Sequence, residues 1–227
     1  MASVTQTGVG RRPRDFVAVR GRDAISFLQR MVSNDVEALA VGDACEALLL
    51  TAKARVIAPL VVWRRGDDDV LLLTEPDLGE VVRAQLLRAR FAAKAELEVE
   101  RHVSHVVLGG EEGIANREYG APAVEVLDSG LEPDLGDSEL ELLRIEAGTP
   151  RWGHEIDGTI LPAEAGLTER AVSFTKGCYP GQEPIARLHY RGHANRGLRR
   201  LVADAEVAEG DEVTFDGRAV GRVSSVA

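Results

Sequence analysis

Between Ala47 and Thr74 three apolar runs follow one another with too little chain between them for a helix: Ala47 to Thr51, Val56 to Trp63 and Val70 to Thr74. Parallel neighbours need a crossover of a dozen or more residues, whereas short turns join antiparallel ones. The stretch RRGDDD (64–69), between the last two runs, reads as a hairpin turn. Strands that succeed one another without crossover helices define an α+β pattern rather than an alternating α/β one. Pro59, inside VIAPLVVW, predicts that its strand lies at a sheet edge or carries a bulge.

Helices flank this meander. Phe16 to Arg20 alternates like a half-buried strand, and RDAISFLQRMVSNDV (22–36) then sets Ile25, Leu28, Met31 and Val32 on one helical face, with Asp23 as its N-cap. Pro76 opens a second amphipathic segment that runs to about Phe91. LEVE (97–100), HVVL (105–108) and AVEVL (123–127) read as strands, with a Gly-, Glu- and Pro-rich loop over 109–122. Ser138 and Glu141 have the spacing of a capping box before LELLRIEAG, which Gly148 can end. The pattern hints at two related halves on either side of residue 110. After Leu198 it becomes all-β, with LRRLVAD, EVTF and DGRAVGRVSSV as strands and Asp216-Gly217 as a hairpin turn. The start, MASVTQTGVGRRPRD, reads as a ragged terminus without the apolar core of a signal peptide.

Composition narrows the function classes. At 44% hydrophobic and 28% charged residues the chain should be globular. Only 4% are aromatic, so the core must come from Leu, Val, Ile and Ala, and stacking platforms for single-stranded nucleic acid are disfavoured. A net charge of −10 also argues against binding a phosphate backbone, so no direct nucleic-acid binding is expected. Arginines 187, 191, 196, 199 and 200 nonetheless fall in an acid-free stretch, either a rim for an anionic ligand tail or a solvated face. Two distant cysteines suit a reducing cytoplasm, and no apolar run approaches the ~20 residues of a membrane span.

The segment FTKGCYPGQEPIARLHYRGH (174–193) concentrates the reactive residue types. If QEPIARLHY begins a helix, Cys178 sits just before its N-terminus with Lys176 nearby, a setting that favours a thiolate. A buried structural thiol in a turn remains the alternative. Metal ligation by Cys178, His189 and His193 is disfavoured, because the spacing is long and Gly192 interrupts a helical pair. In RWGHE (151–155), Trp152 could flank a flat ligand and Glu155 could accept paired hydrogen bonds, or both could be ordinary rim residues. There is neither a phosphate loop nor a G-x-S-x-G elbow.

KGCYPGQE (176–183) resembles the K-G-C-Y-x-G-Q-E signature of the YgfZ-type folate-binding proteins, relatives of the glycine-cleavage T-protein (aminomethyltransferase) and of a mitochondrial iron–sulfur assembly factor. RIEAGTPRWGHEI (144–156) is similar to the family's R-I-E-x-G-x-P-x-x-G-x-E segment, and VSNDV (32–36) to its T-N-D-V segment. The resemblance implies an α+β fold: a T-protein-like folate-binding domain over 15–196, then the start of a small, truncated β-barrel domain over 197–227.

It further implies a cytoplasmic protein that binds tetrahydrofolate or a one-carbon derivative and supports iron–sulfur cluster assembly or repair in client enzymes, including tRNA-modifying ones. Carried over by motif position, Glu155 would hold the pterin and Asn34 and Asp35 would line the nearby loop. Cys178 and Lys176 are the candidate reactive residues, with Tyr179, Gln182 and Glu183 around them and Arg187 on a basic rim. Folate and iron–sulfur client or assembly proteins are the implied partners, with no membrane. T-proteins resemble G-G-x-I-D-D-L in the strand where this chain reads KARVIAPLVV (53–62), placing Ala58 and Pro59 at the two acids. Neither residue handles a proton, which disfavours the alternative of a tetrahydrofolate-dependent aminomethyl or one-carbon transferase. A third possibility is an interaction module that has kept the fold and lost the ligand.

Overall fold

A computed structural model describes residues 7–227. Strand β1 (Gly8–Arg11) is followed by β2 (Asp15–Arg20), α1 (Ala24–Met31), β3 (Ala44–Leu50), β4 (Val56–Gly66), β5 (Asp69–Thr74), α2 (Gly79–Ala89) and β6 (Glu96–Glu100). Then come β7 (Ser104–Leu108), β8 (Ile114–Asn116), β9 (Ala123–Leu127), α3 (Asp137–Ala147), the short α4 (Thr168–Ala171), α5 (Gln182–Arg191), β10 (Glu212–Phe215) and β11 (Arg218–Arg222). The antiparallel meander is as expected, with Asp67 and Asp68 at the tip of the β4–β5 hairpin.

Two sheets form the body. A five-stranded sheet has the order β3-β4-β5-β2-β6, and a four-stranded sheet the order β1-β7-β9-β8. The first buries one face against α1 and α2 through Val17, Val19, Phe27, Leu28, Val82 and Leu86. Its other face sets Phe16, Ala18, Leu71 and Leu73 against Ile114 and Leu127 of the second sheet. Val106, Leu108 and Ala123 on the second sheet pack under Leu140 and Leu143 of α3. The change of sheet falls between β6 and β7, ahead of the expected position 110. Segment 156–185 wraps the β3–β4 end, where Ile156, Leu167, Val172, Tyr179 and Ile185 cover Leu48, Leu50 and Val56.

Several expectations change. The supposed ragged terminus contains β1, which pairs with β7 from Gly8↔Leu108 to Arg11↔His105 and begins before position 15; Met1–Gln6 lie outside the described residues. Pro59 is not on an edge strand, since β4 lies between β3 and β5. Its carbonyl accepts a hydrogen bond from Thr74 Oγ1, and β5 pairing begins only at Leu60↔Thr74, so the ring nitrogen faces the space beyond the end of β5. A register shift at Leu49/Leu50 supplies a bulge close by. Asp23 stands at the N-cap of α1 without a capping bond, because its carboxylate accepts from the Lys94 amide instead.

Helix α2 begins at Gly79 and ends at Ala89, leaving Phe91 90% exposed beyond it at positive φ. The reciprocal cap of α3 lies two residues earlier than expected: the Glu139 carboxylate accepts from the Gly136 amide, and Glu141 turns to Arg144 and Arg151. Gly148 ends that helix at φ 69° as expected. In the tail, β10 and β11 form a hairpin whose turn residues Asp216 and Gly217 both take positive φ, as a two-residue hairpin turn requires. LRRLVAD forms no strand: Leu201 and Val202 stay exposed, because among the described residues no strand edge lies beside them. No described helix is long and apolar enough to cross a membrane.

Candidate functional site

The K-G-C-Y loop is fixed by its lysine. Lys176 is 8% exposed, and its ammonium donates to the carbonyls of Gln29, Val32 and Asn34, the last two at 2.7 and 2.9 Å. The first belongs to the last turn of α1, where carbonyls lack partners within the helix. All three ammonium hydrogens are thus engaged by protein oxygens. Burial pulls its pKa down to about 8, opposed by the charge of Asp35. Its Nζ also stands 5.2 Å from the centre of the Tyr179 ring. Lys176 therefore positions the loop, and in this arrangement presents no free N–H to a ligand.

The N-D-V loop is sewn to the same segment. Ser33 donates to the Ala171 carbonyl at 2.5 Å and accepts from the Leu48 amide, while its own carbonyl receives the Ser173 amide. Asn34 Nδ2 donates to the Glu46 carbonyl at 2.7 Å, and its Oδ1 accepts the Asp35 amide. Asp35 accepts from Gln29 Nε2 at 3.0 Å. Arg170 grips the Glu46 carboxylate with two bonds of 2.7 and 2.9 Å and reaches Thr149. The structure thus brings together Asn34, Asp35 and Lys176, whose side chains are engaged in bonding the protein to itself.

Cys178 is exposed, four residues ahead of the first turn of α5. Gly181 caps that helix at φ 83°, with the Thr51 carbonyl only 2.7 Å from where a Cβ would stand. Tyr179 turns inward, and burial pushes its pKa up to about 12. Gln182 and Glu183 occupy the first turn of α5, and Arg187 is exposed one turn on. Among the described residues, no hydrogen bond engages the side chains of Cys178, Gln182, Glu183 or Arg187.

Glu155 belongs to a separate polar cluster. Its side chain is 5% exposed; Oε2 accepts from Arg144 Nη1 and the Arg151 amide, each at 3.0 Å. Oε1 accepts from the hydroxyls of Ser224 and Ser225 at 3.0 and 2.5 Å. Burial would raise the pKa of Glu155, but Ser225, the Arg151 amide and the Arg144 charge outweigh it and hold the carboxyl below its ordinary 4.5. Among the described residues, no hydrogen bond or ion pair joins Glu155 to Cys178. The link is indirect, since Ile156 and Tyr179 share one apolar cluster with Trp152 at its margin.

Beside Arg151 and Trp152 opens a cavity of about 470 Å³ that also touches Arg12, Glu75, Tyr119 and Leu140. Among the described residues, the buried Tyr119 hydroxyl and Arg151 Nε have no hydrogen-bond partner. Such buried, unpaired polar atoms mark a place where a ligand or water completes the bonding. Behind the wall lies a buried ionic network. Arg12 bonds Glu75 at 2.5 Å and Glu118 at 2.8 Å, and Arg14 bonds Glu118 at 2.7 Å and Glu125 at 2.5 Å. Ser104 and Asn116 also donate to Glu125, each at 2.9 Å. Burial would raise the pKa of Glu118, yet Arg14 and Arg12 hold it well below the carboxylate range.

Sequence reasoning passed over Tyr119, Arg12, Glu75 and Arg151, and left Trp152 open between a flank for a flat ligand and an ordinary rim residue. One signal was available: Glu125 sits inside AVEVL, and a charge within an apolar strand needs a buried partner.

Comparison with known proteins bears on this site. An aminomethyltransferase of Lysinibacillus sphaericus is 26% identical, aligned over 92% of this chain and 71% of its own length. The tRNA-modifying protein YgfZ of Shigella sonnei is 26% identical over 82% of this chain and 69% of its own. Its relatives in sequence thus include both YgfZ proteins and aminomethyltransferases. No family model matches it. Among solved structures, the glycine cleavage system aminomethyltransferase T of Bartonella henselae superposes with a TM-score of 0.70 at 19% identity. That match covers 83% of this chain and 65% of the solved one, and it shows the mixed α/β fold.

Proposed function

We propose that this chain is a cytoplasmic tetrahydrofolate-binding protein of the YgfZ type, supporting iron–sulfur cluster assembly or repair in client enzymes. The observation that carries the binding step is the cavity beside Trp152, with its two unpaired polar atoms. A reduced pterin is flat, largely apolar on its faces and rich in N–H and C=O groups at its edge. Trp152 offers such a group a face, Tyr119 and Arg151 offer it hydrogen bonds, and Glu155 adds a carboxylate bonded to the Arg151 amide. The residues present therefore fit the group. When bound, the folate would supply a one-carbon unit; this chain's residues orient it and keep water from its ring. Arg187 and Arg191, exposed on α5, would meet an anionic tail, and Cys178 is open to a partner protein.

The second reading, aminomethyl transfer, draws on the names of the relatives. Ala58 opposes it, being fully buried and apolar on β4, with Pro59 beside it. Calorimetric titration of folinic acid tests binding, with Tyr119→Phe and Glu155→Ala expected to weaken it about tenfold or more, the loss of one to two good hydrogen bonds. Absence of binding by the wild-type chain would overturn the reading. Rescue of a strain lacking its own YgfZ-type protein by the wild type but not by Cys178→Ala would support a functional thiol. Aminomethyl transfer to a lipoyl carrier protein would restore the second reading.

A further inference from the structure

The segment Val223–Val226 occupies the carboxylate of Glu155. A carboxylate offers about four lone-pair positions. Glu155 fills four: Arg144 Nη1 and the Arg151 amide on Oε2, Ser224 and Ser225 on Oε1. The Ser225 hydroxyl also accepts from Arg144 Nη2 at 2.9 Å, so it completes a closed ring with the ion pair. A ligand N–H donor, such as one on an aminopyrimidine edge, cannot be added to a carboxylate so filled; something must leave.

The two sides of the carboxylate differ in what leaving would cost. Arg144 is 2% exposed and tied to Glu141 and the Thr149 carbonyl as well, and the Arg151 amide is part of a turn closed by Arg151–Ile156 backbone bonds. The half-buried serines follow a hairpin with almost no buried surface: β11 is exposed throughout and β10 is exposed at three of its four positions. Two backbone bonds, Val223 N to the Asp211 carbonyl and Gly210 N to the Val223 carbonyl, tie the tail to that hairpin. Beyond the serines, the polar links from this region to the body, among the described residues, are Leu198 N to the Glu164 carbonyl, Arg200 to the Glu146 carbonyl, and His154 near Glu209. Segments with few buried contacts open at small free-energy cost. Once the serines withdraw, Arg144 Nη2 still keeps Glu141 at 2.5 Å.

We infer that Ser224 and Ser225 form an internal strap that fills Oε1 of Glu155 in place of a ligand's N–H donors and is displaced when that ligand binds. This rests on the pterin-binding reading above and adds its regulation: occupancy of the site and docking of the β10–β11 hairpin exclude one another. By linkage, weakening the strap must tighten the ligand.

Folinic acid is titrated into the full chain and into Ser224→Ala/Ser225→Ala, with hydrogen exchange followed across residues 209–227. Saturating folinic acid is expected to raise exchange in the wild-type tail, and the double variant to bind about tenfold more tightly, matching the loss of about 1.4 kcal/mol of competing contact. Ser225→Asp, which sets a like charge against Glu155, should raise tail exchange without any ligand. Binding with an unchanged tail, or equal affinity in the double variant, overturns the strap and leaves the pterin reading standing. Failure of folinic acid to bind either protein overturns both.

Discussion

Replacing Lys176 by Met removes one buried ammonium and keeps an unbranched apolar stem. Three carbonyls, those of Gln29, Val32 and Asn34, then lose their donor. Hydrogen bonds to a charged group contribute about 1.5–3 kcal/mol each, so three set an upper stabilisation of roughly 4.5–9 kcal/mol. Against this stands the burial of the charge, which takes the lysine from 10.5 to about 8 and corresponds to about 3 kcal/mol. The net loss expected for Lys176→Met is therefore about 3 kcal/mol, within a range of about 1–6. In a chain of this size that lowers the melting temperature by about 6–12 °C. Urea unfolding followed by far-ultraviolet circular dichroism measures it, with thermal melts alongside. Hydrogen exchange adds the local signature: amides of Asn34–Val36 and of Lys176–Gly181 should lose protection together, since one atom ties the two loops. A Met variant as stable as the wild type, or more so, would refute the reasoning, as happens when a well-packed apolar group replaces a buried charge.

Gly181→Ala forces a side chain into positive φ and sets its Cβ against the Thr51 carbonyl, so a loss of about 2 kcal/mol or more is expected in the same urea experiment. Wild-type stability in that variant would mean the loop before α5 relaxes freely. Burial would raise the pKa of Glu100, but Arg65, His102 and Arg20 outweigh it and bring it to about 2. A folded-state pKa below the unfolded one gives stability that is complete above about pH 4.5 and lost as pH falls towards 2, worth about 3 kcal/mol at most. The stability difference between wild type and Glu100→Gln should shrink across that window, and a flat difference would contradict the assignment. Burial pushes Cys45 up to about 12, whereas Cys178 is exposed. One equivalent of maleimide should therefore label the native chain, at Cys178, with the second thiol reacting only after denaturation; native labelling of Cys45 would count against the packing described.

The parts of the fold legible in the sequence were those set by local pattern. The β3–β4–β5 meander follows from short gaps between apolar runs, the Asp216-Gly217 turn from residues that tolerate positive φ, and the end of α3 from Gly148. What escaped depends on partners distant in sequence. GVGR has no apolar run of its own and becomes β1 only because β7 offers an edge. LRRLVAD alternates like a strand and stays irregular because it finds no such edge. The same division holds at the site. Cys178, Lys176 and Glu155 were found by motif, yet the pairing of Lys176 with α1 spans well over a hundred residues, and the Ser225–Glu155 bond joins the tail to the turn after α3. Tyr119 and Trp152 are ordinary residues in the sequence and become a cavity wall only when the second sheet and that turn meet.

The buried ions explain why that wall keeps its shape. With so few aromatic residues, the space between the two sheets is only partly filled by Phe16, Leu71, Leu73 and Ile114. The remainder holds two arginines and three glutamates, a set that an apolar filling of equal volume could match in stability. What ions add is geometry. Arg14 must reach Glu125 on one sheet and Glu75 at the end of the other, and Arg12 must reach Glu75 and Glu118, so only one relative placement of the sheets satisfies both forks. Arg12 and Glu75 are also cavity-lining residues, with their charges already matched inside the protein. A ligand entering there meets two walls that cannot rearrange without breaking the network, and two polar atoms, Tyr119 OH and Arg151 Nε, that are still unpaired. The site is therefore preorganised on the sheet side.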